Sequence, residues 1–135
     1  MRNVLWGAVV IVIGTAFAQN TNYQQDPKWQ VPTDAINRPN PLAQKPDAAA
    51  GGKKLFHRNC VECHGAAGTG IEKKHAADLQ LAAVQQQTDG ALFWKITNGN
   101  TDHGMPSFSR LPELQRWQLV LYLRTLKSPP DDQPK

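Results

Sequence analysis

Cysteine is scarce in this sequence, and its scarcity excludes several classes of site. The chain of 135 residues contains two cysteines, Cys60 and Cys63, which lie close together. A disulfide-stapled secreted domain usually has more cysteines, spread along its length. A four-cysteine zinc or iron–sulfur site needs twice as many. Whatever chemistry the two thiols perform, they perform it as a local pair.

Clustered charge of one sign is also lacking. Basic residues outnumber acidic ones by 15 to 11, which gives a formal net charge of +4. This mild excess is not the dense Lys/Arg clustering that is typical of nucleic-acid binding. It is compatible with docking on an acidic protein partner. The pairs Lys53-Lys54 and Lys73-Lys74 are explained equally well as a solvated basic face.

The apolar run near the N-terminus, Val4–Ala18, is shorter than the roughly 20 residues of a membrane-spanning helix. Arg2 precedes the run, and Ala16-Phe17-Ala18 has the small-x-small form of a signal peptidase site. Residues 1–18 are therefore predicted to be a cleavable signal peptide, which places the mature protein in the periplasm. An uncleaved membrane anchor that faces the periplasm is the alternative.

No convincing run of alternating apolar and polar residues indicates a β-strand, so the sequence predicts an all-α fold. Residues 19–46 are rich in proline, glutamine and asparagine, which predicts an extended arm or linker. Residues 47–127 form the predicted globular domain. Residues 128–135, which are rich in proline and aspartate, are predicted to be a disordered tail.

Helical patterns and breakers divide the predicted domain into segments. The segments are a helix from an Asp47 cap to Cys60, a glycine-rich loop at 65–79, a short helix at 80–87, a helix capped by Thr88 and ended by Gly99, a polar loop at 100–110, and a helix from Pro112. The last helix carries apolar residues on two stripes, which predicts burial on two sides.

The motif Cys60-Val61-Glu62-Cys63-His64 is the attachment signature of c-type heme. Two thiols at this spacing can reach the two vinyl groups on one edge of a porphyrin. The adjacent histidine then offers an imidazole nitrogen to the iron. A thioredoxin-like dithiol would need a βαβ context that is not predicted here. A plain short-loop disulfide, with His64 incidental, is the remaining alternative.

Met105 is the candidate for the second axial iron ligand. It is the one methionine left after removal of the signal peptide, and it lies in a loop that Pro106 stiffens. A thioether ligand would raise the reduction potential. His103 is the main competitor because it lies in the same loop. His75 also lies in a loop, whereas His57 precedes the motif on its own helix and could not easily reach the opposite heme face.

The predicted domain resembles a class I, monoheme c-type cytochrome of the bacterial periplasmic kind. The resemblance spans residues 47–127, and its motifs are CVECHG at 60–65, GMPSF at 104–108 and LQRWQLVLYLRTL at 114–126. It implies a small cytochrome c fold, in which the first and last helices cross beside a covalent heme. Gly52 and Phe56 match the family's contact on the first helix, and Tyr122 matches that on the last.

The resemblance also implies the site. Cys60 and Cys63 would hold one heme c covalently, and His64 and Met105 would be the axial ligands of its iron. No catalytic residue is expected. The family usually has a proline after the motif, whose carbonyl holds the proximal imidazole, but residues 65–79 contain none. A backbone carbonyl near Ala76 is expected to replace it.

Trp94 is a candidate for the aromatic residue that the family often places near a heme propionate, although ordinary packing explains it equally well.

Six-coordinate iron has no open position for a substrate, so the implied role is single-electron transfer between periplasmic or membrane-associated redox proteins rather than enzymatic catalysis. Neither nucleic acid nor a small molecule other than heme is an expected partner. Two alternatives stay open. The chain could be a fixed subunit of a dehydrogenase or oxidase complex, or it could be a heme catalyst or gas sensor in which Met105 is displaced.

Overall fold

A computed structural model describes residue 20 and residues 22–127. The predicted signal peptide and the predicted tail lie outside the described residues. The described part contains six α-helices: α1 (Thr33–Ile36), α2 (Ala49–Asn59), α3 (Val61–His64), α4 (Ala82–Gln85), α5 (Asp89–Asn98) and α6 (Glu113–Thr125). Short 3-10 turns occupy Pro46–Ala48, Glu72–Lys74 and Thr101–His103. These residues form no β-strand beyond one isolated bridge, so the all-α prediction is confirmed.

The start of α2 differs from the predicted Asp47 cap. Asp47 lies inside the 3-10 turn that Pro46 opens, and no side chain caps α2. In this turn the Ala48 N–H already donates to the Lys45 carbonyl at 2.9 Å. The Ala49 N–H, which a carboxylate cap at Asp47 would accept, donates instead to the Pro46 carbonyl, so the proline-led turn takes the place of a side-chain cap.

Helix α5 begins and ends where its signals predicted. The Thr88 hydroxyl accepts a hydrogen bond from the Ala91 N–H at 3.1 Å and donates one to the Ile36 carbonyl at 2.7 Å. Gly99 follows the helix with a φ of +66°, a conformation that a side chain would strain. The N-cap of α5 therefore also holds the segment that carries α1.

Helices α2 and α6 pack closely at Gly52. A Cβ atom at Gly52 would lie 2.0 Å from the Gln118 carbonyl oxygen and 2.9 Å from Cβ of Tyr122. One turn along α2, the rings of Phe56 and Tyr122 meet with centroids 5.2 Å apart. The predicted contact of a glycine and an aromatic residue with the last helix is confirmed.

The core lies between α2, α5 and α6. Its largest fully buried side chains are those of Trp117, Phe56, Leu119 and Val120. Trp117 also stacks on Phe93 of α5, with ring centroids 4.0 Å apart. Three of these four side chains belong to α6, which confirms the prediction that the last helix is buried on two sides.

The segment before α2 packs against the domain. Helix α1 contacts α5. The contact is close at Gly90, where a Cβ atom would lie 2.0 Å from the Ala35 carbonyl oxygen. Arg38 lies over the ring of Phe93 at 4.8 Å, and Leu42 is buried in the core. The division of the chain at residue 46 stays a prediction.

The close approach at Gly52 gives the first testable prediction. Gly52→Ala should lower the free energy of unfolding by about 1–3 kcal/mol, because its methyl group meets backbone and must separate α2 from α6. Gly51→Ala is the matched control, since its methyl group meets only the flexible end of the Gln118 side chain. That variant should be neutral or more stable by up to about 1 kcal/mol. Denaturant unfolding measures both changes in free energy, and equal effects of the two substitutions would contradict the close approach of α2 and α6 at Gly52.

Candidate functional site

The two cysteines and His64 lie at the junction of two helices. Cys60 ends α2 and precedes α3, with φ −120° and ψ −29°. The Cys60 carbonyl accepts hydrogen bonds from the N–H groups of Cys63 at 3.1 Å and His64 at 2.9 Å. This single helical turn puts the three side chains at i, i+3 and i+4, so they project to one side. Gly65 ends the turn with a φ of +76°.

Both cysteines are free and half-buried. Burial, together with the neighbouring Cys63, raises the pKa of the Cys60 thiol to about 12. At neutral pH Cys60 is therefore a protonated thiol, and it is not a candidate for the low-pKa nucleophile of a dithiol oxidoreductase. The thiols remain available for covalent attachment to a group that lies against α3.

The imidazole of His64 is oriented by a backbone carbonyl. Its Nδ1 lies 2.9 Å from the Ala77 oxygen, and with Nδ1–H as donor Nε2 is left as the free lone pair. Burial lowers the pKa of His64, and the Ala77 carbonyl opposes that shift in part. The ring is thus neutral at neutral pH, which is the form that ligates a metal. The backbone acceptor that was expected near Ala76 is therefore the carbonyl of Ala77.

The Ala77 carbonyl is held in place by a tight loop. Gly70 has a φ of +74°, and a Cβ atom there would lie 2.5 Å from the Ala76 oxygen and 2.8 Å from the Ala77 carbonyl carbon. The Gly70 N–H donates to the His64 carbonyl at 2.8 Å. On the other side, the Asn20 amide donates to the Ala76 oxygen at 2.7 Å. The loop compensates for the missing proline by close backbone packing.

Met105 lies on a separate loop that is tied to the end of α5. Met105 and Asn100 exchange backbone hydrogen bonds of 2.9 and 3.0 Å, and Met105 is half-buried. Gly99 packs against this loop, since a Cβ atom there would lie 2.5 Å from the Pro106 carbonyl. The Ser107 hydroxyl donates to the Thr97 carbonyl at 2.6 Å. Two anchors thus fix the backbone on either side of the methionine.

The three other histidines that were considered as ligands are exposed. The side chain of His103 is 62% exposed, and its Nδ1 lies 3.2 Å from the Asn100 side-chain oxygen and 3.5 Å from Asp26 Oδ2. His75 and His57 are exposed, and the ring of His57 packs edge-on against Phe56.

Trp94 is half-buried, and its place beside a propionate stays a prediction.

Two residues of the segment before α2 support these loops and were not singled out from the sequence. The Asn20 N–H donates to the Thr69 carbonyl at 3.1 Å, in addition to the Ala76 bond. Asp26 accepts from the Lys28 N–H at 2.9 Å and from the Asn100 amide at 3.1 Å. These bonds, the Lys28 one first, lower the pKa of Asp26. The Asp26-Pro27-Lys28 turn signal could have identified Asp26.

The donor set fits a covalently attached heme. It combines two unpaired thiols and a neutral, oriented imidazole on one side of a helical turn, with a half-buried thioether on an anchored loop. No cluster of three or more His, Cys, Asp or Glu side chains that could hold a bare metal ion occurs in the described part of the chain. Among the same residues, no helix is long and apolar enough to cross a bilayer.

Comparisons with known proteins agree with this fit. Residues 47–123, more than half of the chain, match the family model described as cytochrome c oxidase, cbb3-type, subunit III. The chain is 39% identical over 83 residues to cytochrome c6 of Leptolyngbya boryana, a match that covers 57% of this chain and 89% of that protein.

A solved structure gives the same result. The KustC0563 c-type cytochrome superimposes with a TM-score of 0.52 at 27% sequence identity, over 57% of this chain and 98% of that one. The family model matches from the 3-10 turn before α2 into α6, and therefore includes both the cysteine motif and the Met105 loop. The chain belongs to this cytochrome c family and is a monoheme c-type cytochrome that carries a covalently bound heme c.

Proposed function

We propose that the protein carries single electrons between redox proteins on a heme c that Cys60 and Cys63 attach and that His64 and Met105 ligate. Heme-based electron transfer is the function that the family indicates. The observation that carries the residue assignment is the hydrogen bond between His64 Nδ1 and the Ala77 carbonyl at 2.9 Å. This bond orients a neutral imidazole, as an axial ligand requires, and the imidazole lies on the same helical turn as the two thiols.

Cys60 and Cys63 make the covalent attachment. Each cysteine would hold the heme through one thioether bond. Since both side chains project from one helical turn, they would hold the heme from one side. Two such bonds hold the group independently of the state of the iron.

His64 supplies the proximal nitrogen. The Ala77 carbonyl accepts the Nδ1–H and so sets both the orientation of the ring and the basicity of Nε2. A more basic imidazole donates more charge to the iron and favours its oxidised state. The loop that carries Ala77 therefore helps to set the reduction potential.

Met105 supplies the distal sulfur. Its loop is anchored on both sides, at Asn100 and at Ser107, so the thioether needs little reorganisation to stay bound. His103 is held toward Asp26 and the solvent. With His64 and Met105 as its two iron ligands, the heme would supply a one-electron couple without an open site for a substrate. This arrangement favours electron transfer over catalysis or gas sensing.

A fixed subunit of a larger complex is the second candidate function, because the family model describes a subunit of an oxidase. The freely diffusing carrier is favoured because the matched part of this chain covers 89% of cytochrome c6 and 98% of the KustC0563 cytochrome, so each of those proteins is little longer than the domain shared with this chain. In either case the partners are redox proteins. We propose that residues 1–18 direct export, so that the protein contacts these partners in the periplasm.

Cell fractionation distinguishes the two candidates. A carrier should be released with the periplasmic contents without detergent, and its N-terminus should be Gln19, as mass spectrometry would show. Retention in the membrane fraction until detergent is added, with residues 1–18 absent, would favour the complex subunit. An intact N-terminus in the membrane fraction would contradict the cleavage proposal.

Met105→Ala tests the distal ligand. The oxidised protein should lose its methionine-to-iron absorption band, because that band requires the sulfur–iron bond. Its reduction potential should fall by on the order of 0.2 V, within the span of about 0.8 V that axial ligands set. Absorption spectra recorded during a redox titration measure both changes.

His103→Ala is the matched control in the same loop. Since His103 faces Asp26 and Asn100, this variant should keep the absorption band and should shift the potential much less. If His103→Ala changed the spectrum while Met105→Ala left it unchanged, the ligand assignment would be wrong. Ready carbon monoxide binding by the reduced wild type would contradict both transfer functions.

Gly70→Ala tests the proximal hydrogen bond. Its methyl group would push the backbone at Ala76 and Ala77 away from His64. A weaker bond to Nδ1–H makes the imidazole a poorer donor, so the reduction potential should rise by on the order of tens of millivolts. Gly65→Ala has the same left-handed strain, at φ +76°, but its methyl group would meet nothing closer than 3.7 Å. Equal potentials for the two variants would contradict the role of Ala77.

A further inference from the structure

The loop at residues 65–79 folds back on itself, so that its two arms lie side by side. Gly70 on the first arm approaches Ala76 on the second so closely that a Cβ atom at Gly70 would lie 2.5 Å from the Ala76 oxygen. The first arm is tied to the turn that carries the cysteines, because the Gly70 N–H donates to the His64 carbonyl at 2.8 Å. The Ala77 carbonyl, which faces the His64 ring, lies on the second arm. The placement of the second arm therefore controls the bond to His64 Nδ1.

The second arm begins directly after a strained residue. His75 has a φ of +52° and a ψ of +25°, and it is the one non-glycine residue in the described part of the chain with a positive φ. This conformation is unfavourable for a residue with a side chain, and it persists where surrounding contacts enforce it. The backbone just before Ala76 thus stores strain, and a contact that holds Ala76 opposes the release of that strain.

Asn20 makes such a contact from a distant part of the chain. Its side-chain amide donates to the Ala76 oxygen at 2.7 Å, and its backbone N–H donates to the Thr69 oxygen at 3.1 Å. One residue therefore bonds to carbonyls on both arms of the loop. Asn20 is only 6% exposed, although asparagine is mostly exposed in proteins. This burial is explained by the bonds that its donors make to the loop.

The bond to Ala76 acts on the carbonyl that His64 contacts. The Ala76 oxygen belongs to the peptide unit that ends at the Ala77 nitrogen, and a peptide unit is planar. When this unit is held, only the φ and ψ of Ala77 lie between it and the Ala77 carbonyl. The Asn20 amide thus limits the directions in which that carbonyl can point. Without the amide, the Ala77 oxygen could turn away from His64 Nδ1.

The segment that carries Asn20 has anchors of its own. Asp26 accepts a hydrogen bond from the Asn100 amide at 3.1 Å, and the Leu42 side chain is buried in the core. These contacts do not involve the loop at 65–79. Removal of the Asn20 amide should therefore leave the rest of the segment in place and act on the loop.

We propose that Asn20 is a positioning residue for the proximal ligand. It holds Ala76 so that the Ala77 carbonyl accepts the His64 Nδ1–H, and it thereby lowers the reduction potential of the heme. This inference rests on the proposed ligation of the iron by His64. A stronger bond to Nδ1–H makes the imidazole a better donor, which favours oxidised iron. Loss of the amide at position 20 should therefore favour reduced iron.

Asn20→Ala and Asn22→Ala test the effect on the reduction potential. Asn22 lies in the same segment and is exposed, so it is the matched control. In a redox titration of the holoprotein, Asn20→Ala should raise the ratio of reduced to oxidised protein at a fixed potential by about two- to fivefold. This is less than the roughly tenfold effect of losing the partner of a ligand outright. Asn22→Ala should leave the ratio unchanged, and both variants should keep the methionine-to-iron band.

NMR of the reduced holoprotein reports on the hydrogen bond itself. Low-spin ferrous iron is diamagnetic, so the His64 Nδ1–H resonance can be followed during exchange into heavy water. This proton should exchange several-fold faster in Asn20→Ala than in the wild type. Asn20→Asp keeps the shape but turns an oxygen toward the Ala76 oxygen, so it should speed exchange at least as much. Asn22→Asp adds the same charge at an exposed position and should not change the rate.

Two results would overturn this inference and leave the proposed function intact. The first is a reduction potential of Asn20→Ala that equals or lies below that of Asn22→Ala, even if Asn20→Ala is less stable. The second is an unchanged exchange rate of the His64 Nδ1–H in both Asn20 variants. Failure of the proposed function would be seen in the wild type instead. The His64 ring protons of the reduced holoprotein would then lack the upfield shift that a heme causes in its axial ligand.

Discussion

The contact between α2 and α6 at Gly52 is the constraint on which the other features depend. Backbone touches backbone there, so the spacing of the two helices is fixed more tightly than side-chain packing alone would allow. The end of α2 carries Cys60, and α3 follows it directly. The position of the turn that carries Cys60, Cys63 and His64 therefore depends on a contact two helical turns earlier in α2. That contact involves none of the heme-binding residues.

Helix α6 also positions the elements on the other side of the site. Its Arg124 guanidinium bonds to Asp89 at 2.7 Å and to the carbonyls of Gln85 at 2.7 Å and Gln87 at 2.6 Å. These bonds tie the connection between α4 and α5 to α6, and α5 in turn leads to the Met105 loop. Helix α3, which carries His64, and the loop that carries Met105 are thus both fixed to the pair of helices α2 and α6.

The sequence predicted the features that depend on local chemistry. The cysteine motif and the Thr88 cap follow from residue type and spacing, whereas the glycine–aromatic contact of Gly52 with α6 followed from the resemblance to the family. Long-range backbone contacts could not be predicted in this way. The Ala77 carbonyl could be located only approximately, since its position depends on how closely Gly70 approaches it in space. The missing Asp47 cap shows the same limit, because a 3-10 turn competed with it.

The segment before α2 is hydrogen-bonded to both loops of the site. Asn20 bonds to the loop that carries Ala77, and Asp26 bonds to Asn100, which pairs with Met105. Each such bond contributes on the order of 1 kcal/mol, a small gain beside the entropy of ordering a proline-rich chain. The packing of α1 on α5 and the burial of Leu42 supply the rest of the free energy that orders this segment. The order of this segment and the positions of the two loops are therefore coupled through the same packing.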